Sequence, residues 1–374
     1  MPHAGARAVG VDSSLSGRLV LEGGQTDQLE TRIEDCPGKI RDERRRKDNS
    51  KSHQEKKMFR PQIKVVDCTI RDGGLMNKWQ FEDNLVERVY LADTKAGVDY
   101  MEIGYLSSES AFSRDEFGPW KFCAEEDIQR IIGHNGEKKI KLSAMADIGR
   151  IEYDDIPPCS ESSLDMIRVA CYVHQVDAAI ALAHHCMDKG YEATINLMAV
   201  STVGPRDLEE ALDDLSKCRV PIIYLVDSFG AFYSEDIDTL SKKYMAALPD
   251  KTIGIHTHNN QQLAFANTIA AIINGVNFLD ASLYGIGRGA GNCPLELLLS
   301  FLKNPKFKVK PLIEVIESHI IPWRKKIDWG YFIPYMVTGV LNQHPRAAML
   351  HMESDQKEKI TDFFCQITSA TDLL

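Results

Sequence analysis

The stretch TIGIHTHNNQQLAFANTIAAIING, residues 252–275, joins a short apolar run to a longer amphipathic one. Its first eight residues are rich in β-branched side chains and predict a strand. Leu263, Ala266, Ala270 and Ile273 then follow the spacing of one helix face, and Gly275 stands where that helix would end. The stretch therefore predicts one strand followed by one helix.

The same alternation runs through the chain from residue 62 onward. The strand candidates are residues 63–69, 98–105, 140–146, 166–172, 193–199, 221–228, 252–259 and 277–285. Several are nearly continuous apolar runs, as expected for parallel strands that are covered on both faces. Eight such units over about 250 residues predict an α/β fold of the (β/α)8 TIM-barrel type. An open doubly wound sheet is the rival, but no GxGxxG motif follows the first strand.

Composition narrows the domain organisation and the class of function. Residues 1–58 hold no sustained hydrophobic period and predict a disordered extension. We expect a catalytic barrel over 59–320 and a short helical C-terminal region over 321–374. The formal net charge of −10 argues against nucleic acid or an anionic membrane as the main partner. Nine scattered cysteines without a CxxC pair indicate a reducing, cytoplasmic compartment, and no apolar run is long enough to predict a transmembrane helix.

Two histidines stand two residues apart in the seventh predicted strand. His256 and His258 would point to the same side of that strand, where they could share a metal or fill separate hydrogen-bonding roles. Polar residues also cluster at the carboxyl ends of the other predicted strands, where barrel active sites lie: Arg71, Asp72, Glu102, Asp147, Asp227, Ser228 and Ser282. Asp72 with the two histidines makes a carboxylate–imidazole set for a divalent metal such as Mg²⁺ or Mn²⁺.

Other residues near this set have two interpretations each. Arg71 could stabilise an enolate or hold a carboxylate, with Glu102 fixing its guanidinium, or the two could form an ordinary ion pair at the barrel rim. Asp72 could instead be a helix N-cap. Tyr331, in DWGYFIPY, could donate a phenolic proton, but residue chemistry does not favour it over Tyr335.

Four stretches carry a resemblance to a known superfamily: DCTIRDGG (67–74), IRVACYVHQVD (167–177), YLVDSFGAFY (224–233) and the long block 253–296. They resemble the DRE-TIM metallolyases, which contain a pyruvate carboxyltransferase-like domain. Within that group the chain looks most like the 4-hydroxy-2-oxovalerate aldolases and their aldolase catalytic domain relatives. The resemblance spans roughly residues 62–345, and the Asp, Arg and Glu of the superfamily's name match Asp72, Arg71 and Glu102.

The resemblance implies a metal-dependent aldolase that cleaves a 4-hydroxy-2-oxo acid to pyruvate and an aldehyde through a metal-stabilised enolate. It implies Mn²⁺ or Mg²⁺ on Asp72, His256 and His258, with Asn292 reaching the metal in some members. The remaining roles that it implies are catalysis by Arg71, Glu102 and Tyr331 and substrate binding by Arg71, Ser228 and His256.

The chain also departs from the aldolase pattern. Leu75 stands where the aldolases carry a catalytic histidine, so a metal-bound hydroxide, Tyr331 and His174 all remain open as the general base. The tail after Tyr331 is short and poorly matched, which argues against docking of a partner aldehyde dehydrogenase. A homo-oligomer is left open. The alternatives are an acyl-CoA-dependent condensing synthase on a 2-oxo acid, an Fe(II) oxygenase and a non-catalytic barrel.

Overall fold

The computed structural model describes residues 60–133 and 140–369. Eight parallel strands form a closed barrel in which each strand pairs with the next one and the eighth pairs with the first. The strands are β1 Lys64–Asp67, β2 Tyr100–Tyr105, β3 Lys141–Asp147, β4 Met166–Cys171, β5 Glu192–Leu197, β6 Ile222–Asp227, β7 Thr252–Thr257 and β8 Phe278–Ala281. The predicted (β/α)8 barrel is confirmed.

Helices follow the strands along the chain. In the described ranges the α-helices are α1 Thr69–Asn77, α2 Asp83–Ala96, α3 Glu125–Ile132, α4 Val176–Asp188, α5 Pro205–Lys217, α6 Ser234–Ala247, α7 Ala264–Ile273, α8 Leu295–Leu302, α9 Lys310–Val315, α10 Ile321–Arg324, α11 Ile333–Val340, α12 Arg346–Glu353 and α13 Ile360–Thr368. The helix predicted after the seventh strand is α7, but the predicted apolar face is not the buried one: Ala264, Ala271 and Ile272 are buried, whereas Ile273 is 77% exposed. None of these helices combines the length and apolarity needed to cross a membrane, and the cysteines of the described ranges are free thiols.

The interior of the barrel is filled by side chains from alternate strands, as in other barrels of this type. One layer, which we call the apolar layer, contains Tyr100, Met166, Ile222 and Phe278 from β2, β4, β6 and β8. Two residues further along the same four strands lie Glu102, Arg168, Tyr224 and Asp280, all buried, which we call the charged layer. Because side chains two apart on a strand share a side, both layers point inward.

The C-terminal helices lie against the loops at the carboxyl end of the barrel. Asn260 donates a side-chain hydrogen bond to the carbonyl of Tyr335 at 3.1 Å, and Asn342 donates one to the carbonyl of Ser201 at 2.8 Å. These contacts bring the segment between α11 and α12 to the mouth of the barrel. The boundaries predicted at residues 58 and 320 stay predictions, and the predicted extension 1–58 lies outside the described residues.

Candidate metal centre

Three residues that are distant in the sequence meet at the carboxyl end of the barrel. Asp72 lies just after β1, His256 lies in β7, and His258 follows the end of β7. One ligand atom from each of the three lies within 4.8 Å of the others, and all three side chains are buried. They form a group that can hold a metal ion, and the remaining contacts of each side chain test whether it is built for one.

Asp72 is held inside a helix instead of capping one. The chain enters α1 immediately after β1, with Cys68 at the N-cap and Asp72 in the first turn, so the N-cap interpretation of Asp72 is wrong. Gly74 lies in the same helix. Glycine is required there because a Cβ would lie 2.0 Å from the Trp79 ring. The indole N–H of Trp79 donates to the carbonyl of Arg71 at 2.9 Å, which fixes the turn that carries Arg71 and Asp72.

The Nδ1 atoms of the two histidines already form hydrogen bonds within the protein. His256 Nδ1 lies 2.9 Å from a carboxylate oxygen of Asp280, and His258 Nδ1 lies 3.0 Å from the carbonyl oxygen of Asp227. Because both oxygens only accept, both Nδ1 atoms carry the proton. Each Nε2 is left buried without a hydrogen-bond partner among the described residues. This is the tautomer and orientation that metal-binding histidines adopt, so the residues fit a divalent cation.

The carboxylate of Asp72 is held as an anion. Its two oxygens accept hydrogen bonds from Arg71 Nη1 at 2.7 Å and from Asn292 Nδ2 at 2.6 Å. Burial raises the pKa of the Asp72 carboxyl, but Arg71, the two histidines and Arg288 together outweigh burial and hold that pKa well below its usual range. The oxygen of the Asn292 amide is buried and has no partner among the described residues, so it is a further candidate ligand.

Glycine is required where the loop after β8 crosses this group. A Cβ on Gly287 would lie 2.3 Å from the amide nitrogen of Asn292 and 2.5 Å from a carboxylate oxygen of Asp72. The glycine-rich segment YGIGRGAGN therefore allows close approach of the backbone to Asp72.

A chain of buried ion pairs runs from Asp72 through the charged layer to His256. Arg71 Nε donates to Glu102 at 2.7 Å. The same Glu102 oxygen is ion-paired with Arg168 at 2.8 Å, and Arg168 donates to Asp280 at 2.7 Å. Asp280 in turn accepts from His256. Glu102 therefore fixes the guanidinium of Arg71, as expected from the sequence, while the catalytic role of either residue stays a prediction.

The metal group opens into a small cavity. Arg71, Asp72, His256 and His258 line it together with Ser228, and its volume is about 90 Å³. At roughly 10–15 Å³ for each water-sized group, this is room for a small organic acid. Further lining residues are Leu75, Tyr105, Tyr172, Asn196, Phe229, Arg288 and His344. A larger groove of about 650 Å³ shares Tyr172 and Phe229 with the cavity.

Tyr331 is not part of this cavity. Its side chain is 46% exposed and does not line the cavity, and neither does that of Tyr335. His174 lines the adjoining groove and stacks on Tyr172 with ring centroids 5.8 Å apart. The predicted catalytic role of Tyr331 stays a prediction that the geometry of the cavity does not support.

Four residues of the site and its support escaped the sequence analysis: Arg168, Asp280, Arg288 and His344. Arg168 in MIRVACY and Asp280 in NFLDASLYG did carry a signal, because each is a charge inside an otherwise apolar strand. A buried charge in such a strand must point to a partner, and the barrel interior is the place for one. Arg288 stands within the glycine-rich segment 284–292, and no local pattern marked either Arg288 or His344.

The fold and the metal group define a barrel of the metal-dependent lyase class, and comparisons identify the family. A family model described as HMGL-like matches residues 62–318. The chain is 31% identical to a Mycobacterium tuberculosis oxaloacetate decarboxylase, over 64% of this chain and 69% of that protein. It is 31% identical to a Thermus thermophilus 4-hydroxy-2-oxovalerate aldolase, over 68% of this chain and 73% of that protein. This chain belongs to the HMGL-like family of the DRE-TIM superfamily, which confirms the resemblance.

A solved structure supports the same assignment. The N-terminal domain of a Bacteroides vulgatus protein assigned as an aldolase superposes with a TM-score of 0.65 and 27% identity, covering 80% of this chain and all of that domain. The chain is an enzyme of the HMGL-like lyase family.

Proposed function

We propose that this chain is a divalent-metal-dependent aldolase that cleaves a 4-hydroxy-2-oxo acid to pyruvate and an aldehyde. The observation that carries the proposal is the convergence of Asp72, His256 and His258 beside Arg71 in one small cavity. Relatives named 4-hydroxy-2-oxovalerate aldolase support the substrate class.

The residues have distinct tasks in this proposal. A divalent ion, Mn²⁺ or Mg²⁺, would supply a Lewis acid for the keto group. A base removes the proton of the 4-hydroxyl group, whose oxygen becomes the aldehyde carbonyl as the C3–C4 bond breaks. The electron pair of that bond forms the C2–C3 double bond, negative charge develops on the C2 oxygen, and protonation at C3 then gives pyruvate. Arg71, held by Asp72 and Glu102, presents its remaining N–H groups to that charge. Ser228 Oγ accepts from the backbone N–H of Ala199 at 2.9 Å, which leaves its own hydrogen for the substrate carboxylate.

The first test follows enolate formation without requiring knowledge of the aldehyde. The protein is incubated with Mn²⁺ and pyruvate in D₂O, and exchange of the methyl protons is followed by NMR. We expect exchange that a chelator abolishes and that Asp72→Asn reduces to the chelated level, because the variant lacks the anionic ligand and one of the two carboxylate partners of Arg71. The control is Asp213→Asn, which changes an exposed carboxylate. Exchange that persists in Asp72→Asn, or that ignores the chelator, would contradict the proposal.

Leu75 favours a second candidate, decarboxylation of a 2-oxo dicarboxylate. This apolar side chain lines the cavity at the position where the aldolases carry a catalytic histidine. Among the described cavity residues, the histidine that is not a candidate metal ligand is His344. Its Nδ1 already accepts a hydrogen bond from the backbone N–H of Arg346 at 3.1 Å. Decarboxylation requires no base, because the departing CO₂ leaves its electron pair on the enolate. The relative named oxaloacetate decarboxylase supports this candidate.

The acyl-CoA-dependent synthase has less support. A groove adjoins the cavity, and four of its lining residues are the carboxylates Asp177, Asp207, Glu210 and Asp214. These carboxylates would repel the phosphates of coenzyme A. The proposed partner is therefore a small 2-oxo acid, and the cytoplasmic location expected from the cysteines stays a prediction.

A further inference from the structure

Arg288 is a cation of the cavity that lacks an acidic partner within residues 60–133 and 140–369. It lies in the loop after β8, and its Nη2 donates to the backbone carbonyl of Ser228 at 3.0 Å. Arg71, in the same cavity, is ion-paired with both Asp72 and Glu102. Among the described residues, by contrast, no acidic side chain lies within 4.0 Å of the Arg288 guanidinium. The Nε and Nη1 side of its planar fork is left for a ligand.

The environment of Arg288 favours an anion there. Burial lowers the pKa of the Arg288 guanidinium, against the opposing attraction of Asp72. A guanidinium still stays protonated in proteins, so its charge is present in the cavity and is incompletely compensated. Holding a half-buried cation without an acidic partner costs free energy, and a bound carboxylate would lower that cost.

The charges of the ion-pair network and Arg288 favour a ligand with two negative charges. Three carboxylates and two guanidiniums in the network from Asp72 to Asp280 leave one net negative charge. Arg288 cancels that charge, and a divalent cation would then add two positive charges. A 2-oxo monocarboxylate brings one negative charge and reaches two only after a base has removed a proton. A dicarboxylate arrives with both.

The position of Arg288 indicates which end of the substrate it meets. Arg71 is 4% exposed and lies beside the metal group, where the keto end of a 2-oxo acid would bind. Arg288 is half-buried and shares the cavity with the exposed side chains of Tyr172 and His344 at the mouth. We propose that Arg288 binds a second carboxylate on the departing side of the cleaved bond, so that the substrates are 2-oxo dicarboxylates. This inference rests on the proposed lyase function.

The test varies the charge of the departing group within one reaction. The substrates are 4-hydroxy-2-oxovalerate, which carries a methyl group on C4, and 4-hydroxy-2-oxoglutarate, which carries a carboxylate there. Both release pyruvate; the first also releases acetaldehyde and the second glyoxylate. Oxaloacetate, which releases pyruvate and CO₂, covers the decarboxylation route. Pyruvate release is coupled to lactate dehydrogenase, and spontaneous decay of oxaloacetate is subtracted.

We expect the parent enzyme to have a higher kcat/KM for the dicarboxylates. Arg288→Met should lower the preference for the dicarboxylates roughly 10- to 100-fold, mainly through KM, because a charge-assisted pair is lost. Arg288→Lys should restore part of it, since the charge returns without the planar fork. The matched control is Arg346→Met, which removes a nearby arginine that does not line the cavity and should leave the preference within about twofold.

Two results would overturn the inference while leaving the lyase proposal intact. In the first, the parent exchanges the methyl protons of pyruvate, but the preference for dicarboxylate substrates is the same in Arg288→Met as in the parent. The other is an equal loss on all substrates, which would mean that Arg288 holds the carboxylate common to every 2-oxo acid. Absence of both metal-dependent exchange and pyruvate release in the parent would defeat the lyase proposal and the inference together.

Discussion

Two neighbouring layers inside the barrel come from the same four strands and have opposite chemistry. The apolar layer packs Tyr100 and Phe278 with ring centroids 5.8 Å apart and fills the rest of its cross-section with Met166 and Ile222. The charged layer, two residues further along, holds Arg168 between Glu102 and Asp280 and above the ring of Tyr224, 4.5 Å from its centroid. Both layers are buried, so burial does not explain the difference.

The difference reflects what each layer supports. Replacing a buried ion pair by well-packed apolar residues is often neutral or stabilising, so stability alone does not require the charged layer. Its two carboxylates, however, are the partners of Arg71 and His256, which line the cavity. Burial lowers the pKa of Arg168, but the charges of Asp280 and Glu102 outweigh it and raise that pKa, so Arg168 remains charged. We infer that the charged layer orients the site and the apolar layer closes the barrel.

The largest effect is expected from breaking the charged layer at its centre. Arg168→Met leaves Glu102 and Asp280 buried without their shared cation, and we expect the free energy of unfolding to fall by about 3–5 kcal/mol. Urea unfolding measures this. The control is Arg130→Met, which removes an exposed arginine paired with Asp83 and should cost less than about 1 kcal/mol. A loss no larger than that of the control would contradict the expectation.

The apolar layer should affect stability without affecting the site. Met166→Ala opens a cavity in the barrel interior and should lower the free energy of unfolding by about 3 kcal/mol. Mn²⁺ affinity, measured by isothermal titration calorimetry on the folded protein, should stay within about twofold of the parent value. A loss of metal affinity comparable with that of a charged-layer variant would show that the two layers do not have separate roles.

The smallest effect sharpens the comparison at one carboxylate, that of Asp280. Asp280→Asn removes the carboxylate whose oxygen accepts from both His256 Nδ1 and Arg168, and we expect Mn²⁺ affinity to fall about tenfold because outer-shell partners fix the ring and raise its basicity. Calorimetric titration of the folded variant measures this, with circular dichroism as the check on folding. In the control Asp213→Asn, which changes an exposed carboxylate, affinity should match the parent. Equal affinity in Asp280→Asn would remove the orienting role of the charged layer.

The sequence predicted the barrel better than it predicted the local structure around Asp72. Apolar strand periodicity and helix spacing are local properties, and strands such as 166–172 and 252–259 correspond to β4 and β7 within a few residues. The sequence left a helix N-cap open for Asp72, but the chain already enters a helix at Thr69, and the packing of Trp79 against Gly74 keeps Asp72 inside that helix. Tertiary contact overrode a local preference that was weak.

For the candidate site, the sequence alone identified the candidate metal ligands. Asp72, His256 and His258 stand at predicted strand ends, and barrel active sites lie at those ends. The tertiary structure decided the rest. It placed Arg168 and Asp280 behind the site, left Tyr331 outside the cavity and brought Arg288 and His344 to its lining. The physical reason is that periodicity specifies which side of a strand or helix is buried. Distances between side chains on different elements, however, are fixed only when the barrel closes and its interior charges must pair.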